Sequence, residues 1–158
     1  MDTNIGKLKQ LLGTKHNNAS YSGINKKLLF FQSKNNVKIP PDLGEYFKLL
    51  DNATNELDKD LYEFYSFDKF TSIDKELANW GGVPDYRNIV YTLSQCENCF
   101  VFADYMSNLF AYAIRLYEDK TDRNEVYLIC GDKYKTLAYS FSDFLGLYLI
   151  DSIELKTI

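Results

Sequence analysis

The chain has 158 residues, of which 46% are apolar and 16% aromatic, with 13 Tyr and 11 Phe. That length suits one domain able to bury its own core, and the aromatic content excludes a disordered chain. A formal net charge of −4, from 18 basic and 22 acidic residues, argues against direct nucleic-acid binding, which wants a basic stripe, and allows a basic protein partner.

No apolar run is long enough to span a bilayer, so no membrane partner is expected. The opening Met1-Asp2-Thr3-Asn4-Ile5 lacks the basic segment and apolar stretch of a secretory signal, which makes the cytoplasm the expected location. The three cysteines, Cys96, Cys99 and Cys130, are too few and odd in number for a disulfide framework. No linker or internal repeat divides the chain, and residues 1–158 read as a single domain.

The first element is an amphipathic helix over 2–13, with Ile5, Leu8, Leu11 and Leu12 on its apolar side and Gly13 at its end. A polar loop, 14–22, leads to a second helix near 22–34 that buries Ile24, Leu28 and Phe31, with Leu29 as a further candidate. Asn35-Asn36 closes it, and Pro40 keeps the preceding residue extended. Pro40-Pro41-Asp42 then opens a third helix, in which Leu43, Tyr46, Phe47 and Leu50 form one stripe ending at Asp51-Asn52.

An acidic loop over 53–60 precedes an aromatic strand at 61–67. Phe70, Ile73, Leu77 and Trp80 keep helical spacing and predict a helix over 68–80, capped near Thr71 or Ser72 and broken by Gly81-Gly82-Val83-Pro84. Strands follow at 89–93, 99–105, 109–116 and 125–130, with turns at Met106-Ser107-Asn108, at 118–124 and at Cys130-Gly131-Asp132-Lys133. In 109–115, Phe110, Tyr112 and Ile114 share one face and Leu109, Ala111 and Ala113 the other; the small side chains predict a close-packed helix there. Ser140-Phe141-Ser142-Asp143 reads as a capping box for a closing helix over 141–150, which lays Phe141, Phe144, Leu145, Tyr148 and Leu149 on the sheet. The expected fold is α+β: a mainly antiparallel meander of about five or six strands, with N-terminal helices and a C-terminal helix packed on it.

Catalytic chemistry finds little footing. Cys96-Glu97-Asn98-Cys99 is a C-x-x-C, yet a structural zinc wants four N or S ligands, and the single histidine, His16, lies in the first loop. A redox pair wants its first thiol at a helix start, whereas this one joins two predicted strands. No G-x-S-x-G or phosphate-cradling glycine loop is present, and carboxylate pairs such as Asp58 with Asp60, or Asp119 with Asp122, sit in solvated loops. Lys26, Lys27, Lys34 and Lys38 read as the polar face of the second helix. No catalytic residue, metal ligand or cofactor is assigned.

Two segments are candidates for partner binding. The first carries Glu56, Asp58, Asp60 and Glu63 beside aromatics, Tyr62 or Tyr65, read as exposed, a pattern suited to a basic cleft. The second is the turn from Trp80 to Arg87, with Asp85 and Tyr86.

The order of signals resembles the SUKH superfamily, which includes fungal cell-wall-synthesis regulators and bacterial toxin-immunity proteins. The resemblance rests on Ile39-Pro40-Pro41-Asp42-Leu43-Gly44-Glu45-Tyr46-Phe47 and on Ser140-Phe141-Ser142-Asp143-Phe144-Leu145, and covers about residues 24–150. The family usually places Asn-Gly after the proline-led helix, where this chain has Asp51-Asn52-Ala53. The resemblance implies a non-enzymatic domain that binds another protein, foremost an immunity protein neutralising a toxin domain with a basic cleft. The alternatives are a regulatory scaffold of the same fold, or a small hydrolase or metal-dependent enzyme using the acidic loops. Oligomeric state is open.

Overall fold

The structure, a computed structural model, describes residues 3–12, 21–50 and 60–158. Helices α1 (Thr3–Leu12), α2 (Tyr21–Asn35) and α3 (Pro41–Leu50) come first, followed by strands β1 (Tyr62–Phe64) and β2 (Thr71–Ser72) and the single turn α4 (Ile73–Glu76). Strands β3 (Cys99–Tyr105), β4 (Phe110–Arg115), β5 (Val126–Cys130) and β6 (Lys133–Ala138) then form the meander, and α5 (Phe141–Leu149) closes it. The expected α+β architecture is present, with six strands in one antiparallel sheet.

The sheet runs β1-β3-β4-β5-β6, and β2 also pairs with β3. β1 meets one end of β3, Tyr62 opposite Tyr105, and β2 meets the other, Thr71 opposite Val101. A register shift between Val101 and Ala103 separates the two pairings along β3.

Both faces of the sheet are buried, and strand alternation sorts side chains between two cores. On one face Phe100, Phe102, Phe110, Tyr112, Ile114, Val126 and Leu128 meet α1, α2, α3 and α5 through Ile5, Leu8, Ile24, Leu28, Leu43, Tyr46, Phe47, Phe141 and Phe144. On the other, Val101, Ala111, Ala113, Tyr127 and Ile129 meet Tyr65, Ile73, Leu77, Tyr86, Ile89 and Leu93. The two faces of β4 therefore separate as the sequence predicts. The cover on the alanine face differs: among the described residues it is the single turn α4, a run of short 3-10 turns and tyrosine rings, with no long helix.

α5 begins as expected: the Asp143 amide donates to Ser140 Oγ at 3.0 Å. The chain leaving α2 is pinned where Asn36 turns at φ 53° and the Lys38 amide donates to Tyr117 O at 2.7 Å.

Several expectations are corrected. The segment 68–80 is not one helix: β2, α4 and two 3-10 turns, Phe67–Lys69 and Leu77–Asn79, share it. Phe70 belongs to the helical-side core and Ile73 and Leu77 to the opposite one, so the apparent stripe faces two cores. The run at 89–93 is no strand; Arg87–Tyr91 is a 3-10 helix that buries Ile89 and leaves Tyr91 84% exposed, and Leu93 is buried just beyond it. The strand at 61–67 is cut to Tyr62–Phe64 because Ser66 already starts the next 3-10 turn. Leu29 is 66% exposed. The stops at 13 and 51–52 and the loops at 14–20 and 53–59 lie outside the described residues.

Candidate functional site

The turn after Leu77–Asn79 reverses over Gly81-Gly82, where Gly82 takes φ +105°, a conformation that a side chain would strain. The Tyr86 amide returns to Trp80 O at 2.9 Å and closes the loop. Inside it, the Trp80 ring stands edge-on to Tyr86 with centroids 5.0 Å apart, while its Nε1 donates to Glu76 Oε2 at 3.3 Å.

Tyr86 reaches from this loop to the β3–β4 hairpin. Its hydroxyl lies 2.9 Å from Asn108 O and 2.8 Å from Leu109 O, and its one proton serves these carbonyls in turn. The hairpin turn needs that support: Met106, Ser107 and Asn108 are successive non-glycine residues at φ 49°, 50° and 77°. Left-handed backbone costs such residues roughly 1–2 kcal/mol each and persists only where neighbours hold it. Between loop and hairpin lies a cleft of about 400 Å³, lined among others by Trp80, Val83, Pro84, Met106 and Asn108.

A further bond ties the start of β1 to the same hairpin. The Met106 amide donates to Leu61 O at 3.0 Å. Asp60 and Leu61 therefore adjoin the hairpin, which borders the loop carrying Asp85. Of the two segments singled out in the sequence, the described end of the first, Asp60-Leu61, meets the hairpin at Met106, and the 80–87 loop meets it across the cleft. Val83, Met106 and Leu109 are exposed apolar groups lining the cleft, and Leu61, bonded to Met106, is exposed as well; Asp60 and Asp85 are the acidic residues close to them in the chain.

The predicted site residues divide accordingly. Glu56 and Asp58 lie outside the described residues. Asp60 is exposed, and Glu63 is half-buried and ion-paired to Lys69 at 2.7 Å. Asp85 is paired to Arg87 at 2.7 Å, and hydrogen bonds from the Arg87 side chain and backbone hold its carboxyl down at about 2. Tyr62 and Tyr65 are not exposed anchors. Tyr62 is 1% exposed and packs on Tyr105, Tyr112 and Tyr148, because its position in β1 faces the helical-side core. Tyr65 and Tyr86 are fully buried in the opposite core, so Tyr86 shapes the surface from below.

Behind the hairpin, the Tyr65 hydroxyl donates to Asp104 Oδ2 at 2.6 Å. Burial raises the Asp104 carboxyl above its usual range, with the Glu63 charge adding to it, while Tyr65, Lys69 and the Asn108 amide hold it down in part. Burial and Asp104 raise the Tyr65 phenol strongly, so it stays a donor. The pair fastens Tyr65 to β3.

The C-x-x-C enters β3 from the 3-10 turn Cys96–Asn98. Cys96 Sγ sits 2.9 Å from Leu93 O. Burial pushes the Cys96 thiol up to about 11 and the Cys99 thiol to about 12, which makes both inert thiols at neutral pH. Among the described residues no group of three or more His, Cys, Asp or Glu side chains is placed to hold a metal ion. Within the same residues, no helix is long and apolar enough to cross a membrane.

Leu61, Val83 and Met106 were not singled out in the sequence. Met106 was legible as a turn residue, but its hydrogen bond to Leu61 joins positions 45 apart that no local pattern connects. Comparisons with family models, with curated proteins and with solved structures found no match.

Proposed function

We propose that this chain is a non-enzymatic protein-binding domain, an immunity protein that neutralises a cognate bacterial toxin by direct stoichiometric binding. The observation that carries the reading is the grouping of exposed Val83, Met106 and Leu109 about one cleft, with Leu61 bonded to Met106 and with Asp60 and Asp85 close to these residues in the chain. Exposed apolar side chains grouped together and rimmed by polar residues mark a protein interaction site. The carboxylates of Asp60 and Asp85 suit a basic cleft, steering its approach and matching its charge. A frame already held by Tyr86 and by the Met106–Leu61 bond loses little freedom on binding. Neutralisation is then occlusion: Leu61, Val83 and Met106 seat in the toxin, and the carboxylates meet its cationic residues.

The resemblance to the SUKH superfamily supports the same reading; the residues that carry it lie side by side in the fold. Tyr46 and Phe141 pack with centroids 4.9 Å apart.

The test is co-expression with each candidate toxin domain taken from the neighbouring genes. The parent should protect growth, and Met106→Asp combined with Leu61→Lys should abolish protection while the purified variant keeps its circular dichroism spectrum. Full protection by that variant would remove this surface from the account.

A further inference from the structure

A second groove shares no residue with the surface just described. It lies between α2 and the β2–α4 corner and encloses about 310 Å³. Its floor is aromatic: Phe31 packs on Phe67, Phe70 and Phe100 at centroid distances of 5.4, 5.4 and 5.0 Å. The adjacent Phe30 points outward and is 69% exposed. Its rim is cationic, carrying Lys27 and Lys34 from α2 and Lys75 from α4.

Among the described residues Lys34 and Lys75 make no ion pair. Lys27 pairs with Asp68 at 3.1 Å, with both side chains well exposed. Such an exposed pair is weak and exchangeable. Asp68 thus marks where a carboxylate sits in this groove.

We propose that this groove binds an acidic peptide segment of a partner protein, one that presents a phenylalanine- or leucine-like side chain among Asp and Glu residues. Charge complementarity selects the occupant: three lysines ring the groove in a chain whose net charge is −4. Lys27 and Lys34 stand seven residues apart on α2, an axial separation of about 10 Å. Cations spread along the rim match several carboxylates in series and do not converge on one head group. Phe30 and the aromatic floor take the apolar side chain, which supplies desolvation where the carboxylates supply register. On binding, a partner carboxylate displaces Asp68 from Lys27.

The proposal stands independently of toxin neutralisation, because the two surfaces are separate. It is tested with the full chain on an unbiased array of 12-residue peptides, with hits re-measured by fluorescence anisotropy. Sequences combining Asp or Glu with Phe or Leu should be enriched. Lys34→Glu with Lys75→Glu should weaken the best hit roughly tenfold or more, and Phe30→Ser should weaken it too. Asp68→Asn should tighten it, an outcome that misfolding does not produce. Enrichment of basic or neutral peptides overturns the proposal, as does no enrichment or equal affinity in the lysine variant. Vesicles of phosphatidylserine form a separate arm. Retention on them in place of the acidic peptides would assign the groove to a membrane surface and overturn the proposal.

Discussion

Asp42 Oδ2 accepts a hydrogen bond from the backbone amide of Ser142, 100 residues further along the chain, at 2.9 Å. Ser142 is the second residue of α5, and Ser140 Oγ takes the amide of the third, so two of the free donors at that helix start are met, one locally and one from α3. A carboxylate also suits the positive end of a helix. Asn4 completes the junction by donating to Ser142 O at 3.1 Å, which brings α1 to the same point. Asp42→Ala should cost about 1–2 kcal/mol and Ser140→Ala about 1 kcal/mol. In urea unfolding the double variant should depart from additivity, because both side chains serve one helix end. An Asp42→Ala chain as stable as the parent contradicts this role.

The Asp104 carboxyl supplies a pH signature. Its folded pKa is raised by burial first and by Glu63 next, whereas the unfolded carboxyl titrates near about 3.9. Between those values the folded chain holds the extra proton, so stability falls as pH rises through the window. Asp104→Asn has no such proton to lose. Its stability relative to the parent should therefore climb from about pH 4 upward and be flat below that. Asp85 acts in the opposite sense, contributing stability that is lost as pH falls toward about 2, and it cancels in the comparison. A relative stability that declines with rising pH contradicts the buried, proton-holding Asp104.

Tyr86→Phe keeps the ring against Trp80 and removes only the hydroxyl that supports the Asn108 and Leu109 carbonyls. The expected loss is about 1–2 kcal/mol. Amide exchange should accelerate at Met106 and Leu109, whose own backbone bonds hold the turn. Unchanged exchange at both amides means that the hairpin stands without Tyr86.

Thiol labelling separates the cysteines. Cys130 is half-buried, while Cys96 and Cys99 are buried with thiols at about 11 and about 12. Native protein treated with a maleimide should modify Cys130 first, and the C-x-x-C pair only after denaturation. Rapid native labelling of Cys96 or Cys99 contradicts their place in the core.

Much of the fold was legible because its signals are local. The Ser140 cap, the stripe of α3 and the alternation of Phe110, Tyr112 and Ile114 against Ala111 and Ala113 each sit within a few residues. The 89–93 run misled because Ile89 and Leu93 are four apart, a spacing that fits a helical turn, while Val90 and Tyr91 face outward. β6 escaped because it is a sheet edge: Lys133, Tyr134 and Thr136 are exposed and leave no apolar alternation to read. Of the proposed surface, Asp60 and Asp85 were legible by charge. The hairpin's contacts with Leu61 on one side and with the 80–87 loop on the other were not, since they depend on how distant segments meet in space.

Stoichiometric binding of a protein is the function proposed for this chain, and titration calorimetry against a candidate toxin domain taken from the neighbouring genes tests it most directly. The account predicts saturation at one equivalent, with toxin activity falling in step, and weakened binding for Asp60→Lys with Asp85→Lys. Absence of heat and of inhibition at high excess, with both proteins folded, would contradict it.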